Sequence, residues 1–137
     1  MPIQDAPDGT LWIQQVTVVV DTPTPPSPAH ECPAGNVDRY SGNAAAYQEV
    51  AKWTVTADRI GELKEVSMVT DDYVKTVWKL VIGATTVFND VTIQAPLTMP
   101  FSDLRLDALA VVTLSCHSDG VTNIVADGSI VGKETGL

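Results

Sequence analysis

The chain has 137 residues, 45% of them hydrophobic, enough for a single domain with its own core. Seventeen acidic residues against eight basic ones give a formal net charge of −9 with no Lys/Arg run, which argues against nucleic acid or an anionic membrane as a partner. The N-terminus, M-P-I-Q-D-A-P-D, has neither a basic n-region nor an apolar h-region, so neither a signal peptide nor a membrane span is expected. Two cysteines are too few for a disulfide-dense secreted scaffold, and synthesis in a reducing cytoplasm is expected.

In chain order, an irregular lead-in with Asp8-Gly9 precedes Leu11 to Val20, L-W-I-Q-Q-V-T-V-V-V, which reads as a strand. Its buried set is either Trp12, Val16, Val18 and Val20, or Leu11, Ile13 and Val19. Both faces are apolar, so the strand needs cover from its own domain or from a partner subunit. Asp21 to Ala29 holds four prolines in nine positions, each fixing φ and removing a donor. That stretch reads either as a stiff spacer of roughly 3 Å per residue or as a long loop crossing the end of a sandwich. Residues 1–28 are accordingly read as an extended N-terminal arm and 29–137 as the folded domain. His30 to Asn43 reads as loop, and Asn43 to Lys52 as one or two helical turns capped by Asn43 that give way to strand at Trp53.

The domain is organised around Val74 to Ile93. Thr76, Trp78, Leu80 and Ile82 fall on one face of an extended segment, Gly83-Ala84-Thr85 turns the chain, and it returns through Val87, Asn89, Val91 and Ile93. This is a hairpin with a buried tryptophan. Leu63 to Thr70 is a strand with Val66 and Met68 on one face, ending in a polar tip at Asp71-Asp72. Pro96 and Pro100 mark a loop or an edge. Ala108 to Cys116 is a strand with Ala110, Val112, Leu114 and Cys116 on one side and Leu109, Val111 and Thr113 on the other. Ser118-Asp119-Gly120 turns into the last strand, Val121 to Val131, with Asp127-Gly128 read as a bulge or kink and a polar tail after it. Eight candidate strands result, roughly 11–20, 50–57, 62–70, 74–82, 86–93, 101–106, 108–117 and 121–131. With no βα alternation they predict an all-β, antiparallel two-sheet β-sandwich, and their number suits a jelly roll.

Three stretches then carry a family likeness: I-G-E-L-K-E-V-S-M-V-T-D-D (60–72), V-W-K-L-V-I-G-A-T-T-V-F-N-D-V (77–91) and L-A-V-V-T-L-S-C-H-S-D-G-V-T-N-I-V-A-D-G-S-I-V-G-K-E (109–134). Together they resemble the small jelly-roll modules of virion proteins from tailed bacteriophages. The resemblance covers about residues 50 to 134. It implies a structural role on a virus particle as a capsid decoration, head-fibre or tail-associated protein, often trimeric, with other virion proteins as partners.

Motifs of catalysis are missing from the sequence: it has no G-x-S-x-G and no G-x-x-x-x-G-K-[ST], and neither histidine has an assignable partner. His30-x-Cys32 and Cys116-His117 supply zinc-type ligands at the wrong spacing for a finger, and adjacent residues on a strand point to opposite faces. Cys116 is read instead as a small buried residue, and a Cys32–Cys116 disulfide as the product of an oxidising medium. Asp71-Asp72 and Asp119 lie outside any EF-hand pattern and read as solvated loop tips. Asp103 and Asp107 beside Arg105 read as surface charges. No catalytic, cofactor or metal residue is assigned. Of the aromatics, Trp53 and Trp78 are assigned to the core, while Trp12 and Tyr73 are freer. The candidate partner-binding residues are therefore Trp12, Val16, Val18, Val20 and Tyr73. A glycan-binding sandwich, with exposed coplanar aromatics, is the competing expectation.

Overall fold

The computed structural model describes residues 31–136, and these form eight strands with no helix. They are β1 (Cys32–Gly42), β2 (Gln48–Thr54), β3 (Arg59–Thr70), β4 (Val77–Ile82), β5 (Thr85–Val91), β6 (Leu97–Leu106), β7 (Val111–His117) and β8 (Ile124–Gly136). The expected arm 1–28, with Trp12, Val16, Val18 and Val20, lies outside the described residues.

Two antiparallel four-stranded sheets, ordered β1-β8-β3-β6 and β2-β7-β4-β5, make the sandwich. The pairings are nested: β1 with β8, β2 with β7, β3 with β6 and β4 with β5. One long antiparallel ribbon folded over itself gives this order, and it is the strand order of a jelly roll. Between the sheets lies a core of Val50, Trp53, Val55, Leu63, Val66, Met68, Trp78, Leu80, Val112, Leu114, Cys116, Ile124 and Ile130. Each fully buried large apolar side chain contributes roughly 1.5–3 kcal/mol. Trp78 sits at the centre of this core, and its indole N–H has no hydrogen-bond partner among the described residues.

The alternations at 63–70, 76–82 and 110–116 place their residues as expected: Val66, Met68, Thr76, Trp78, Leu80, Ile82, Val112, Leu114 and Cys116 are all buried. Five expectations are corrected. Residues 32–42 are a strand, not a loop. Pro33 and Gly35 are tolerated because, among the described residues, β1 is an edge that pairs with β8 alone. The strand expected from residue 50 begins at Gln48, where one or two helical turns compete in the sequence, since Gln48 and Glu49 already pair with Cys116 and Ser115. Asp127-Gly128 is not a bulge: β8 pairs without a break with β1, and the irregularity falls in β3 between Leu63 and Glu65. Gly128 is small for packing, because a Cβ there would come within 2.8 Å of Leu114 Cδ2 and Val50 Cγ1. The supposed polar tail continues β8 to Gly136, and Leu109, expected within a strand, sits in the turn before β7 at φ 68°.

The central hairpin closes on the two residues Gly83-Ala84, with Ile82 opposite Thr85. Gly83 has φ 60° and Ala84 is outside the positive range, the sign pattern of a type II′ turn. The returning strand departs from strict alternation. Two register shifts in the β4–β5 pair turn Phe88 toward the core, opposite Leu80, and leave Val87 exposed.

Candidate functional site

Tyr73, the one candidate partner residue within the described region, lies at an end of the sandwich in the link between β3 and β4. That link is held from within. The Asp72 carboxylate accepts the amides of Val74 (3.2 Å) and Lys75 (3.1 Å). Thr76 donates its hydroxyl to the Asp72 carbonyl at 2.6 Å and shares a buried hydrogen bond of 2.8 Å with Thr70. Tyr73 is half-buried and lines, with Val74, Thr92, Ile93 and Gln94, a shallow groove of about 410 Å³.

The β7–β8 link braces the same end. Asp119 accepts the amides of Val121 (2.9 Å) and Thr122 (2.7 Å) and the Thr122 hydroxyl (3.0 Å), and it pairs with Lys75 at 3.2 Å. The Thr122 and Val121 amides hold its carboxyl well below the usual carboxylate range. Asp71 accepts the Val125 amide at 2.9 Å and donates its own amide to the Val125 carbonyl at 3.1 Å. The aspartates read in the sequence as solvated tips are therefore hydrogen-bonded staples. They fix two turns that each present a valine, Val74 and Val121, both 81% exposed.

Tyr47 works across the outer face of the second sheet. Its ring meets His117 of β7 edge-on at 4.6 Å, and Lys79 Nζ of β4 lies 5.3 Å from its centroid. Its hydroxyl donates to Asp90 Oδ1 at 2.6 Å and accepts the Asp90 amide at 2.9 Å. Burial first, then the bond to Asp90, raises the phenol to about 12. The bond of Tyr47 to Asp90 and its contact with His117 are not legible in the sequence, because these partners are scattered along the chain.

The described aromatics do not form a flat sugar-stacking platform. Trp53 is 5% exposed and gives its indole N–H to buried Glu134 at 2.8 Å; Trp78 is fully enclosed; the Tyr40 hydroxyl accepts the Ala44 amide at 3.0 Å. Cys116 is buried while its neighbour His117 is turned toward Tyr47, and both Cys32 and Cys116 are free thiols. Burial raises the Cys116 thiol to about 12, which keeps it protonated and unreactive.

The remaining candidate surface is the flank where β5 and β6, the edge strands of the two sheets, face one another. Directly opposed residues of an antiparallel pair point to the same side. Phe88 and Val91 oppose Leu80 and Trp78, and Leu97, Met99 and Leu104 oppose Met68, Val66 and Leu63, so all five point toward the core. Yet Val91, Leu97 and Leu104 are 36%, 38% and 40% exposed. A mainly apolar groove of about 360 Å³ runs there between Ile82, Thr85 and Val87 on one side and Phe101, Leu104, Arg105 and Leu106 on the other. Among the described residues the sandwich is thus unsealed along this seam. The opposite flank is tied: β1 and β2 are joined by the short link 43–47, whose Ala44 bonds Tyr40 and accepts the Ser118 amide at 2.7 Å.

No protein family, curated protein or solved structure matches the chain.

Proposed function

We propose that the chain is a non-enzymatic structural protein of a virus particle, of the capsid-decoration, head-fibre or tail-associated kind, that assembles with copies of itself and with other virion proteins through its N-terminal arm. A homotrimer is the favoured state. The observation that carries the reading is the open β5/β6 seam, whose core-facing Val91, Leu97 and Leu104 stay exposed among the described residues. Apolar surface of this kind marks an interaction site rather than ordinary surface scatter. Nested jelly-roll order agrees with the resemblance of residues 50 to 134 to phage virion modules, although fold alone does not carry function.

The chemistry of the loops supports the same reading. The carboxylates of Asp71, Asp72 and Asp119 are held by backbone amides at turns, which suits rigid presentation of Val74, Val121 and Tyr73 to a partner. Outward negative charge keeps assembled or free copies soluble. Particles purified on a density gradient from the culture that makes the chain test the reading. The chain is expected to co-sediment with them and to appear in their mass spectrum; recovery only in the particle-free fraction contradicts it.

A further inference from the structure

We infer that the β5/β6 seam is the seat of residues 11–20 of a neighbouring copy of this chain, which add as a strand to the free edge of β5. The inference rests on the arm reading above and names the surface that receives the arm. Three observations lead to it. The seam lacks a layer, because Phe88, Val91, Leu97, Met99 and Leu104 point inward by register and are incompletely covered. Among the described residues β5 pairs with β4 alone and β6 with β3 alone, so both ladders end at this flank.

The four edge strands differ in how they resist addition. β1 carries Pro33, β6 carries Pro100, and β2 carries exposed Glu49 and Lys52, whereas β5 has neither proline nor lysine. Proline and lysine are the usual guards of an open edge. The Asp90 amide is already bound by Tyr47, which leaves Thr85 to Asn89 as the stretch open to pairing.

The occupant is set by the chain outside the described residues. L-W-I-Q-Q-V-T-V-V-V is apolar on both faces, the pattern of a strand covered on two sides, which an inserted strand would be and a surface strand would not. In sequence the spacer 21–29 precedes β1, which lies at the far edge of the first sheet from β6. Nine residues in extended form span about 27 Å, and a four-stranded sheet is about 15 Å from edge to edge. The spacer is therefore long enough to carry residues 11–20 beyond the edge of a sheet, and the assembly reading of the arm makes a second copy the occupant.

Photo-crosslinking tests this with the full chain carrying a benzophenone amino acid in place of Gln15, the products being sized on a denaturing gel and mapped by mass spectrometry. The expected product is a band of two joined chains with the attachment within residues 85–106. Two-chain products mapping to 32–42 or 48–54 overturn the seam while leaving the arm reading intact. Single-chain products mapping to 85–106 overturn the neighbouring copy as donor, and the assembly role of the arm with it. Independently, Leu104→Glu in the full chain is expected to reduce the mass in solution to that of a monomer with an unchanged β-type circular dichroism spectrum. An oligomer of unchanged mass overturns the seam.

Discussion

The Tyr47 phenol donates to the Asp90 carboxylate at 2.6 Å and accepts the Asp90 amide at 2.9 Å, so one side chain from the link just before β2 fastens the edge strand at the far side of the sheet. Asp90 is held at φ 55°, in the left-handed region that a side chain rarely adopts without a local partner. The bond therefore fixes the end of β5 nearest Val91. It also sets where a strand can be added.

Tyr47→Phe removes both bonds and is expected to cost about 1 kcal/mol, since the groups it releases are exposed and regain water. Hydrogen exchange should quicken at Asp90. A phenol raised to about 12 when folded, against about 10 when unfolded, stabilises the fold fully below the unfolded value. That contribution is lost as pH rises from about 10 toward 12. Thermal melts across that range should show a steeper alkaline loss in the native chain than in Tyr47→Phe; parallel curves would contradict the bond.

Glu134 is 5% exposed and accepts the Trp53 indole N–H at 2.8 Å and the Thr56 amide at 3.2 Å. Burial pushes its carboxyl up, but the bonds from Thr56 and Trp53 and the nearby Arg59 charge outweigh that and leave it below the ordinary glutamate value. Glu134→Ala leaves a buried indole donor unpaired and is expected to cost about 1–3 kcal/mol in urea unfolding. The sign with pH is opposite to that of Tyr47. Stability from the charged form is present above the unfolded value and is lost as pH falls through the depressed folded one. Glu134→Gln should flatten that acid limb.

Gly132 stands where a Cβ would meet the Glu62 carbonyl at 2.6 Å and the Trp53 ring at 2.8 Å. Gly132→Ala is expected to lower the urea midpoint by an amount equivalent to about 1–3 kcal/mol, the usual cost of overpacking, with the slope unchanged. Gly83→Ala adds no clash, since nothing lies within 4 Å of a Cβ there. Its φ of 60° still disfavours a side chain, so a loss of about 1 kcal/mol is expected from the turn alone.

The sequence reveals strands where burial imposes alternation. Thr76-Trp78-Leu80-Ile82 and Val112-Leu114-Cys116 are readable because every second residue enters the core. β1 escapes such reading because Pro33, Gly35, Asn36 and Asp38 are poor strand formers that only an edge position accommodates. The end of β8 escapes it because what makes K-E-T-G a strand is its two neighbours, with Lys133 opposite both Pro33 and Glu62. Tyr47 was read as part of a short helix for its helix-forming neighbours, and nothing local signals a bond to a residue 43 positions away. The seam shows the same limit. Leu97, Met99 and Leu104 look like ordinary core residues in sequence, and only register and exposure together reveal that their cover is incomplete.

The central claim is that the N-terminal arm joins subunits, and the mass in solution measured by light scattering tests it most directly, on the full chain and on a chain beginning at Ala29. The account predicts a trimer for the first and a folded monomer for the second, with the same β-type circular dichroism spectrum. A monomeric full chain, or a shortened chain that is unfolded because the arm belongs to its own core, would contradict it.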